Sequence, residues 1–307
     1  IWEISMWSKT LIAVLLLLVV AGASWAGGQV EITSAPSGVS REYIDSALAE
    51  EVTVELTQEG NESAYELGIT AQNSSDPLTR YLSDGAGNQL PYRITSVGGT
   101  FDLMDRPDAP STDEIIRGSL ASSESETKSF EIRLEPDLQG AAGIYTDSVF
   151  LNAYSRTVFG WNLSDSTSFG LTIVVPQRVE LSLVSTGVPF DPASKDYNID
   201  FGFLSTGDSR TMDLLVRGNT GYTVSIQSSN GGVLRHDDPI DGSTVPYLFR
   251  LDGNQTELST GSQEIVDRTA PPTTGIDRFA LAFEIGSYGN VTSGEYQDTL
   301  QLVVTAR

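Results

Sequence analysis

The sequence repeats itself at offsets of 147 to 155 residues, and this repeat limits what the chain can fold into. Four short motifs recur in the same order. They are 66–69 (ELGI) with 213–216 (DLLV), 90–92 (LPY) with 245–247 (VPY), 130–134 (FEIRL) with 279–283 (FALAF), and 143–148 (GIYTDS) with 294–299 (GEYQDT). One match would mean little, but four in register indicate two copies of one unit. We place the boundary near Pro176 to Arg178.

Both copies read as short β-strands. Apolar and polar residues alternate in stretches such as 52–56 (VTVEL), 179–183 (VELSL) and 222–226 (YTVSI), and Gly, Asn, Asp, Ser and Pro separate them. Period-two alternation at this spacing is typical of a β-sandwich or barrel. Only 40–51 (SREYIDSALAEE) has a helical pattern, with Ser40 as a possible cap; an irregular lead-in to the first strands is the alternative.

Composition excludes several classes of protein. The chain has no cysteine, so disulfides and thiolate metal sites are absent, and no cofactor or metal site is predicted. The net charge of −23 argues against nucleic acid and anionic membranes as partners. His236 is the only histidine, and 237–242 (DDPIDG) lacks the spacing of a calcium-binding loop, so both are read as solvated loop residues.

Residues 1–26 are predicted to be a signal peptide. Lys9 precedes the apolar run 11–21, which is too short for a stable transmembrane helix, and 24–26 (SWA) has the small residues of a cleavage site. We therefore expect an exported protein that begins at Gly27.

The two copies differ after their last shared motif. Thirty-four residues run from Gly143 to Pro176 and include a further strand at 169–175, whereas fourteen run from Gly294 to Arg307. We expect the second copy to lack that strand. Four missing core side chains would remove about 6–12 kcal/mol of burial, comparable with the stability of a whole domain, about 5–15 kcal/mol. The alternative is that an earlier segment, Val179 to Val184, covers the edge.

The second copy resembles a known family. The stretches 214–226 (LLVRGNTGYTVSI), 229–234 (SNGGVL), 245–253 (VPYLFRLDG) and 294–299 (GEYQDT) resemble the spore coat U / Csu-type pilins of the archaic chaperone–usher pathway. The resemblance covers most of 178–307 and is weaker over 28–176. Pilins of this family often carry a disulfide, which this chain cannot form.

The resemblance implies two immunoglobulin-like β-sandwich domains of pilin type, the C-terminal one without its last strand. Domain boundaries are then 27–176 for an N-terminal adhesive domain and 177–307 for an incomplete pilin domain. The implied function is a non-enzymatic fimbrial subunit at the pilus tip, assembled by donor-strand complementation. Implied partners are a periplasmic pilus chaperone, an outer-membrane usher, the next pilin subunit as strand donor, and a surface or glycan receptor. Such a subunit crosses the periplasm to a cell-surface fimbrium.

The first group of candidate site residues lies near the end of the sequence. Leu300, Leu302 and Val304, with Tyr296, are predicted to line the groove that accepts a donor strand. Tyr145 and Tyr296 recur at one point of both copies, so we expect their hydroxyls to bond backbone at a strand entry.

Candidate ligand-binding residues lie in the first copy. They are Tyr154, Phe159 and Trp161 within 150–161, and Phe101, Leu103 and Met104 in a turn-rich segment. Aromatic side chains at a hairpin tip can stack on sugars or contact apolar surfaces; the alternative is that these residues fill the core or anchor a loop. An exported carbohydrate-binding β-sandwich, or a β-sandwich glycosidase with two carboxylates, remains an alternative for the whole chain.

Overall fold

We describe the protein from a computed structural model, which covers residues 28–43, 47–109, 111–135 and 140–307. The predicted signal peptide, 1–26, lies outside the described residues. Within them the chain forms twenty β-strands and one 3₁₀ turn, Thr112–Glu114, and no α-helix. The predicted all-β fold class is confirmed.

Strands β1 to β10 form the part of the chain that we call the first half. They are β1 Gln29–Ser34, β2 Gly38–Glu42, β3 Leu48–Glu59, β4 Ser63–Ala71, β5 Arg80–Ser83, β6 Gln89–Thr95, β7 Ile116–Leu120, β8 Ser125–Leu134, β9 Gly143–Thr157 and β10 Gly160–Val175. Their sheet runs in the order β1-β3-β8-β6-β5-β9-β10-β2, and β4 lies between β7 and β9.

Strands β11 to β20 form the second half. They are β11 Val179–Ser185, β12 Ser209–Gly218, β13 Tyr222–Ser228, β14 Val233–His236, β15 Thr244–Leu251, β16 Asn254–Thr256, β17 Gln263–Arg268, β18 Ile276–Ile285, β19 Tyr296–Gln297 and β20 Leu300–Ala306. One sheet runs β11-β12-β18-β15-β14-β19, with β16 on β15, and a second runs β17-β13-β20.

The two halves share one strand order. The strand order β1-β3-β8-β6-β5-β9 of the first half has its counterpart in β11-β12-β18-β15-β14-β19 of the second, and β7-β4-β9 has its counterpart in β17-β13-β20.

Three of the four sequence matches fall on equivalent strands. The fourth is wrong: 66–69 lies in β4, whereas 213–216 lies in β12, the counterpart of β3. Both motifs contain a buried acid among apolar residues, which made them look alike.

Each half has its own hydrophobic core. Alternating residues of the paired strands point inward, as the period of two requires. The first core includes Val54, Leu67, Phe130, Leu151 and Ile173. The second includes Leu214, Val224, Phe249, Leu281 and Phe283. The domain boundaries 27–176 and 177–307 are consistent with these clusters but stay a prediction.

The segment predicted as a helix or an irregular lead-in, 40–51, is neither where the structure describes it. Residues up to Glu42 belong to β2, which pairs in parallel with β10, and Leu48 onward belongs to β3, which pairs with β1 and β8. Hydrogen bonds to strands distant in sequence override the weak local preference for a helix. Residues 44–46 lie outside the described part.

Asn219 ties the halves together at their junction. Its Nδ2 donates to the Pro176 carbonyl at 3.0 Å, and its Oδ1 accepts from the Arg178 amide at 2.9 Å. Its backbone carbonyl accepts from the Ala142 amide of the first half at 2.9 Å. The start of β9 is thereby held against the start of the second half. β9 runs away from this junction for fifteen residues, about 46 Å at the rise of a strand.

Candidate functional site: the uncovered edge of the last strand

Strands β19 and β20 are the counterpart of β9, and the two differ in how well their inward side chains are covered. In the first half, β9 lies between β4 and β10, and its inward residues Val149, Leu151 and Ala153 are completely buried. The matching positions against β13 are Leu300, Leu302 and Val304, which are only partly buried. Equivalent residues of one fold therefore differ in exposure.

Strand β10 accounts for the complete burial in the first half. It pairs antiparallel to β9 along its length, and every second residue turns inward. Phe169, Leu171, Ile173 and Val175 are at most 5% exposed. Phe169 lies beside Val149 of β9, and the other three continue the covered face toward the junction; Leu151 and Ala153 lie beside Thr167 and Asp165 of the same strand.

In the described part of the second half, no strand occupies the position of β10. β20 hydrogen-bonds to β13 on one side, and no strand pairing is formed on its other side. The alternative in which Val179 to Val184 pairs with this edge is not borne out: β11 forms its ladder with β12, and although it comes near β20, no hydrogen-bonded pairing joins the two strands. The edge of β20 and the side chains behind it thus form an open groove.

Residues 197–204 form a wall against the second core. They follow β11 as β2 follows β1, but they form no strand. Ile199, Phe201 and Leu204 pack partly buried on the second core, whereas Phe203 is fully exposed. Arg210 of β12 donates to the carbonyls of Asp200 and Phe201 and fixes the segment to the sheet. In the first half, β2 pairs with β10 itself, so this wall resembles a strand without its partner.

Asp298 holds the entry of β20 in place. Its carboxylate accepts from the Tyr247 hydroxyl at 2.6 Å, the Ser228 hydroxyl at 2.6 Å and the Asn230 amide at 3.0 Å. Burial, followed by the hydrogen bond to Asp298, raises the pKa of Tyr247 far above its ordinary value. These bonds hold the start of β20 against β13 and β15, although its other edge is unpaired.

Tyr296 lies at the start of β19 with its hydroxyl on the backbone. The hydroxyl donates to the Thr292 carbonyl at 2.7 Å, and Tyr145 of the first half donates to the Ala141 carbonyl at the same distance. The predicted backbone bond at a strand entry is confirmed for both. The Tyr296 ring also meets His236 edge-on, with ring centroids 5.1 Å apart. The prediction of a solvated loop residue is therefore wrong for His236, which ends β14, pairs with Tyr296 of β19 and has a side chain that is only 9% exposed.

Of three comparisons of the chain with known proteins, the one with solved structures gives matches. No family model and no curated protein sequence matches it. A chain of the CsuC–CsuE chaperone–tip adhesion subunit complex, from archaic chaperone–usher Csu pili of Acinetobacter baumannii, shares 12% identity at a TM-score of 0.44. The match covers 90% of this chain and 99% of that chain.

Two further solved structures are tip or adhesive subunits. The CupB6 tip adhesin of Pseudomonas aeruginosa shares 11% identity at a TM-score of 0.42, with 90% of this chain and 94% of that chain covered. CfaE, the adhesive subunit of CFA/I fimbria of enterotoxigenic Escherichia coli, shares 12% identity at 0.37, with 91% and 81% covered. The binding properties of those proteins are not transferred to this chain, because identities this low do not establish a shared function.

The aromatic residues predicted for ligand binding lie on the β9–β10 hairpin. Phe159 is 94% exposed at the turn, and its neighbour Val158 is 77% exposed. Tyr154 donates to Asp105 at 2.9 Å, and the Arg106 guanidinium lies 5.3 Å from the centre of the Trp161 ring. Phe159 therefore forms an apolar tip, while Tyr154 and Trp161 lie together beside the segment that carries Asp105 and Arg106.

The other predicted ligand-binding residues divide between surface and core. Phe101 is 42% exposed, but Leu103 and Met104 are 2% and 5% exposed. The Leu103 amide donates to Ile94 and the Met104 amide to Glu114, which fixes them as loop anchors. The core-facing alternative thus describes Leu103 and Met104, and neither can contact a ligand from this position.

Several paired residues of the site escaped the sequence prediction. Asn73 and Asn230 each donate a backbone amide to the aspartate of the recurring motif, Asp147 or Asp298, at 3.0 Å. Tyr65 and Tyr222 each donate to a carboxylate at the start of the strand equivalent to β8. Both pairs have the offset of 157, close to the repeat period, and identical residue types at that offset were the signal that could have found them.

No helix in the described residues is long and apolar enough to span a bilayer.

Proposed function

We propose that this chain is a non-enzymatic fimbrial subunit that receives a β-strand from another chain in the groove beside β20. The observation that supports the proposal is the difference between two equivalent faces: Leu151 is completely buried under β10, whereas Leu302 is only partly buried. The proposed role is the tip subunit of a chaperone–usher fimbria. Its partners are a periplasmic chaperone, an usher and the next subunit, and its location is the cell surface after export.

The groove is costly to leave open. Covering about four apolar side chains is worth about 6–12 kcal/mol at about 1.5–3 kcal/mol each. The free backbone edge of β20 also invites pairing with any other strand. A donated strand removes both problems at once, because its main chain pairs with β20 while its alternate side chains enter the core.

The first half serves as a template for the donor strand. β10 runs antiparallel to β9 and presents an apolar residue at four alternate positions, 169 to 175. A strand that fits the groove in the same register has four alternate apolar residues opposite residues 294 to 300, and the residues that precede them pair with β20. Residues 197–204 would then pair with its outer edge, as β2 pairs with β10.

The first half provides the proposed adhesive end. Its fold is closed by β10, and the exposed Val158 and Phe159 lie at the end of β9 that is farthest from the junction. A receptor-facing tip and a strand-accepting base at opposite ends suit a subunit at the end of a fibre.

The groove is tested with a labelled peptide of residues 160–175, the sequence of β10 itself, and the full chain co-expressed with a pilus chaperone. We expect the chain to leave the chaperone and bind this peptide, but not a scrambled one, as measured by fluorescence anisotropy. Leu302→Asp places a charge in the groove and abolishes binding. The matched variant Val303→Asp changes the neighbouring residue, which points outward and is 44% exposed, and retains binding. A chain that is monomeric without chaperone and ignores the peptide contradicts the proposal.

A further inference from the structure

A strip of the outer sheet surface in the first half, on the neighbouring strands β9, β10 and β2, carries no charge. We call it the neutral face, and it consists of the even-numbered residues of 144–150, of 166–174 and of 38–40. Alternation turns them outward, since Val149, Leu171 and Val39 between them are buried. Six of these residues are Ser or Thr, two are Gly and three are apolar, on a chain whose net charge is −23.

Strands β3 and β8 show that the neutral face is a local feature. Their outward residues over a similar length include Glu51, Glu55, Glu131 and Arg133. Charges near the neutral face lie at its borders, such as Glu42, which pairs with Val174 at one corner. The neutral face therefore offers no charge to a partner, and the acidity of the whole molecule disfavours an anionic partner.

Two kinds of group on the neutral face can hold a ligand. Phe150 is 37% exposed and Ile144 is 61% exposed, and they lie six residues apart on β9, about 20 Å at the rise of a strand. The hydroxyls of Thr146 and Ser168 make no hydrogen bond within the described residues, so each can both donate and accept. Gly170 has no atom within 4 Å of the place where a side chain would begin. The surface beside the Phe150 ring is therefore open to a ligand.

We propose that the neutral face binds an extended, uncharged oligosaccharide that lies along β9 and β10. Sugar rings have apolar faces that stack on an aromatic side chain such as Phe150, and their hydroxyls pair with those of Ser and Thr. A strip about 20 Å long accommodates several rings in a row.

A protein partner fits the neutral face less well. Serine is depleted and aromatic residues are enriched at protein–protein interfaces, whereas this face has six Ser or Thr residues and one aromatic residue. The inference deepens the adhesive role proposed above for the first half. It does not require the groove of the second half, because β10 already closes the fold that carries the neutral face.

The test uses the full chain, alone or with a pilus chaperone, in ligand-observed NMR titrations. The probes are cellohexaose, chitohexaose, a mannuronate hexasaccharide and D-glucose. We expect at least one of the two neutral hexasaccharides to bind about tenfold or more tightly than the mannuronate chain and glucose, a difference of about 1.4 kcal/mol.

Several outcomes would overturn the proposal. Equal binding of the mannuronate chain would show that neutrality is not recognised, and equal binding of glucose would show that no extended chain is needed. No saturation by either neutral chain removes the site. Self-association of the chain that Ser168→Glu abolishes, without sugar binding, would assign the face to a second copy instead.

Matched variants locate the binding on the neutral face. Phe150→Ser removes the ring, and we expect affinity to fall about tenfold or more. Phe101→Ser, which is similarly exposed at 42% on a loop of the same half, leaves affinity unchanged. Ser168→Glu places a charge opposite Phe150 and causes a similar loss, whereas Ser119→Glu, an exposed position on β7, does not. Unchanged affinity in both Phe150→Ser and Ser168→Glu contradicts the proposal.

Two further measurements keep the result independent of folding and of the groove. Urea unfolding of each variant shows that it is folded. Addition of the β10 peptide leaves the sugar affinity unchanged, because the groove lies in the other half. A chain that binds the β10 peptide but no sugar therefore refutes the neutral-face site and leaves the proposed strand-accepting role intact.

Discussion

At the scale of single residues, the most informative groups are two aspartates at equivalent positions, the buried Asp147 and the partly buried Asp298. Asp147 and Asp298 each bind a tyrosine hydroxyl, the amide of an asparagine and the amide of the following residue. Hydrogen bonds to a charged acceptor are worth about 1.5–3 kcal/mol each. These hydrogen bonds fix the strand where its inward-facing residues begin. The same arrangement therefore precedes a covered strand in the first half and an uncovered strand in the second.

The buried tyrosines make the free energy of unfolding fall as the pH rises into the alkaline range. Burial and the neighbouring aspartate raise the pKa of Tyr92 and of Tyr247 in the folded protein. Below the pKa of an unfolded tyrosine, about 10, both states hold the proton and stability is complete. Above it only the unfolded state ionises, so stability falls by about 1.4 kcal/mol per pH unit for each tyrosine.

Urea unfolding from about pH 9 to about pH 11.5, on either side of the tyrosine pKa, checks this expectation. Tyr92→Phe removes one titrating group. We therefore expect its free energy of unfolding to decline less steeply, by about 1.4 kcal/mol less per pH unit. Tyr197→Phe changes an exposed tyrosine and serves as the control, with the slope of the parent chain. A parallel decline in all three proteins contradicts the assignment.

At the scale of elements, the β9–β10 hairpin combines two roles. Near the junction its β10 strand covers the first core, and at its far end it exposes Val158 and Phe159. Apolar side chains this exposed do not contribute to the core, so changing them leaves the fold intact. A solvent-exposed apolar tip on a well-anchored hairpin is suited to contact with a surface.

Phe159→Ser tests the contact role of the hairpin. We expect adsorption of the full chain to an alkyl-terminated monolayer, measured by surface plasmon resonance, to fall several-fold, with stability changed by no more than about 0.5 kcal/mol. Ile240→Ser, on the second half, removes an apolar side chain that is 93% exposed and is the matched control. Equal losses in both variants would mean that adsorption is non-specific.

Sequence patterns captured the strands and the repeat but missed what depends on contacts between distant segments. Alternation placed Leu300, Leu302 and Val304 on one face, and the recurrence of Tyr145 and Tyr296 correctly implied a structural role. The helix-like pattern at 40–51 misled because parallel pairing with β10 decides that segment. The bond between Tyr92 and Asp147 carries no local signal, since it joins segments that meet only in the folded chain.

At the scale of the whole molecule, two cores share one chain, joined through Asn219 and its neighbours. The first core is covered by strands of its own half. The second has partly buried residues along one edge. The two halves should therefore differ in stability and respond differently to a strand added from outside.

Calorimetry of the full chain tests this difference. We expect two transitions, of which only that of the second half rises when the β10 peptide is added. At a hundredfold excess of free peptide over its Kd, the stabilisation is about 2.7 kcal/mol, or several degrees in Tm. One transition that shifts as a unit would show that the halves unfold together.

The direction of β9 has a mechanical consequence. This strand extends unbroken from the junction to the exposed turn, and β10 returns beside it over the same length. Tension applied at Phe159 along the long axis therefore pulls both strands of the hairpin in the same direction and acts in shear on the bonds between β9 and β4, which share the load. Tension applied sideways would unzip them one after another. A chain built in this way resists a pull along its length far better than a pull across it.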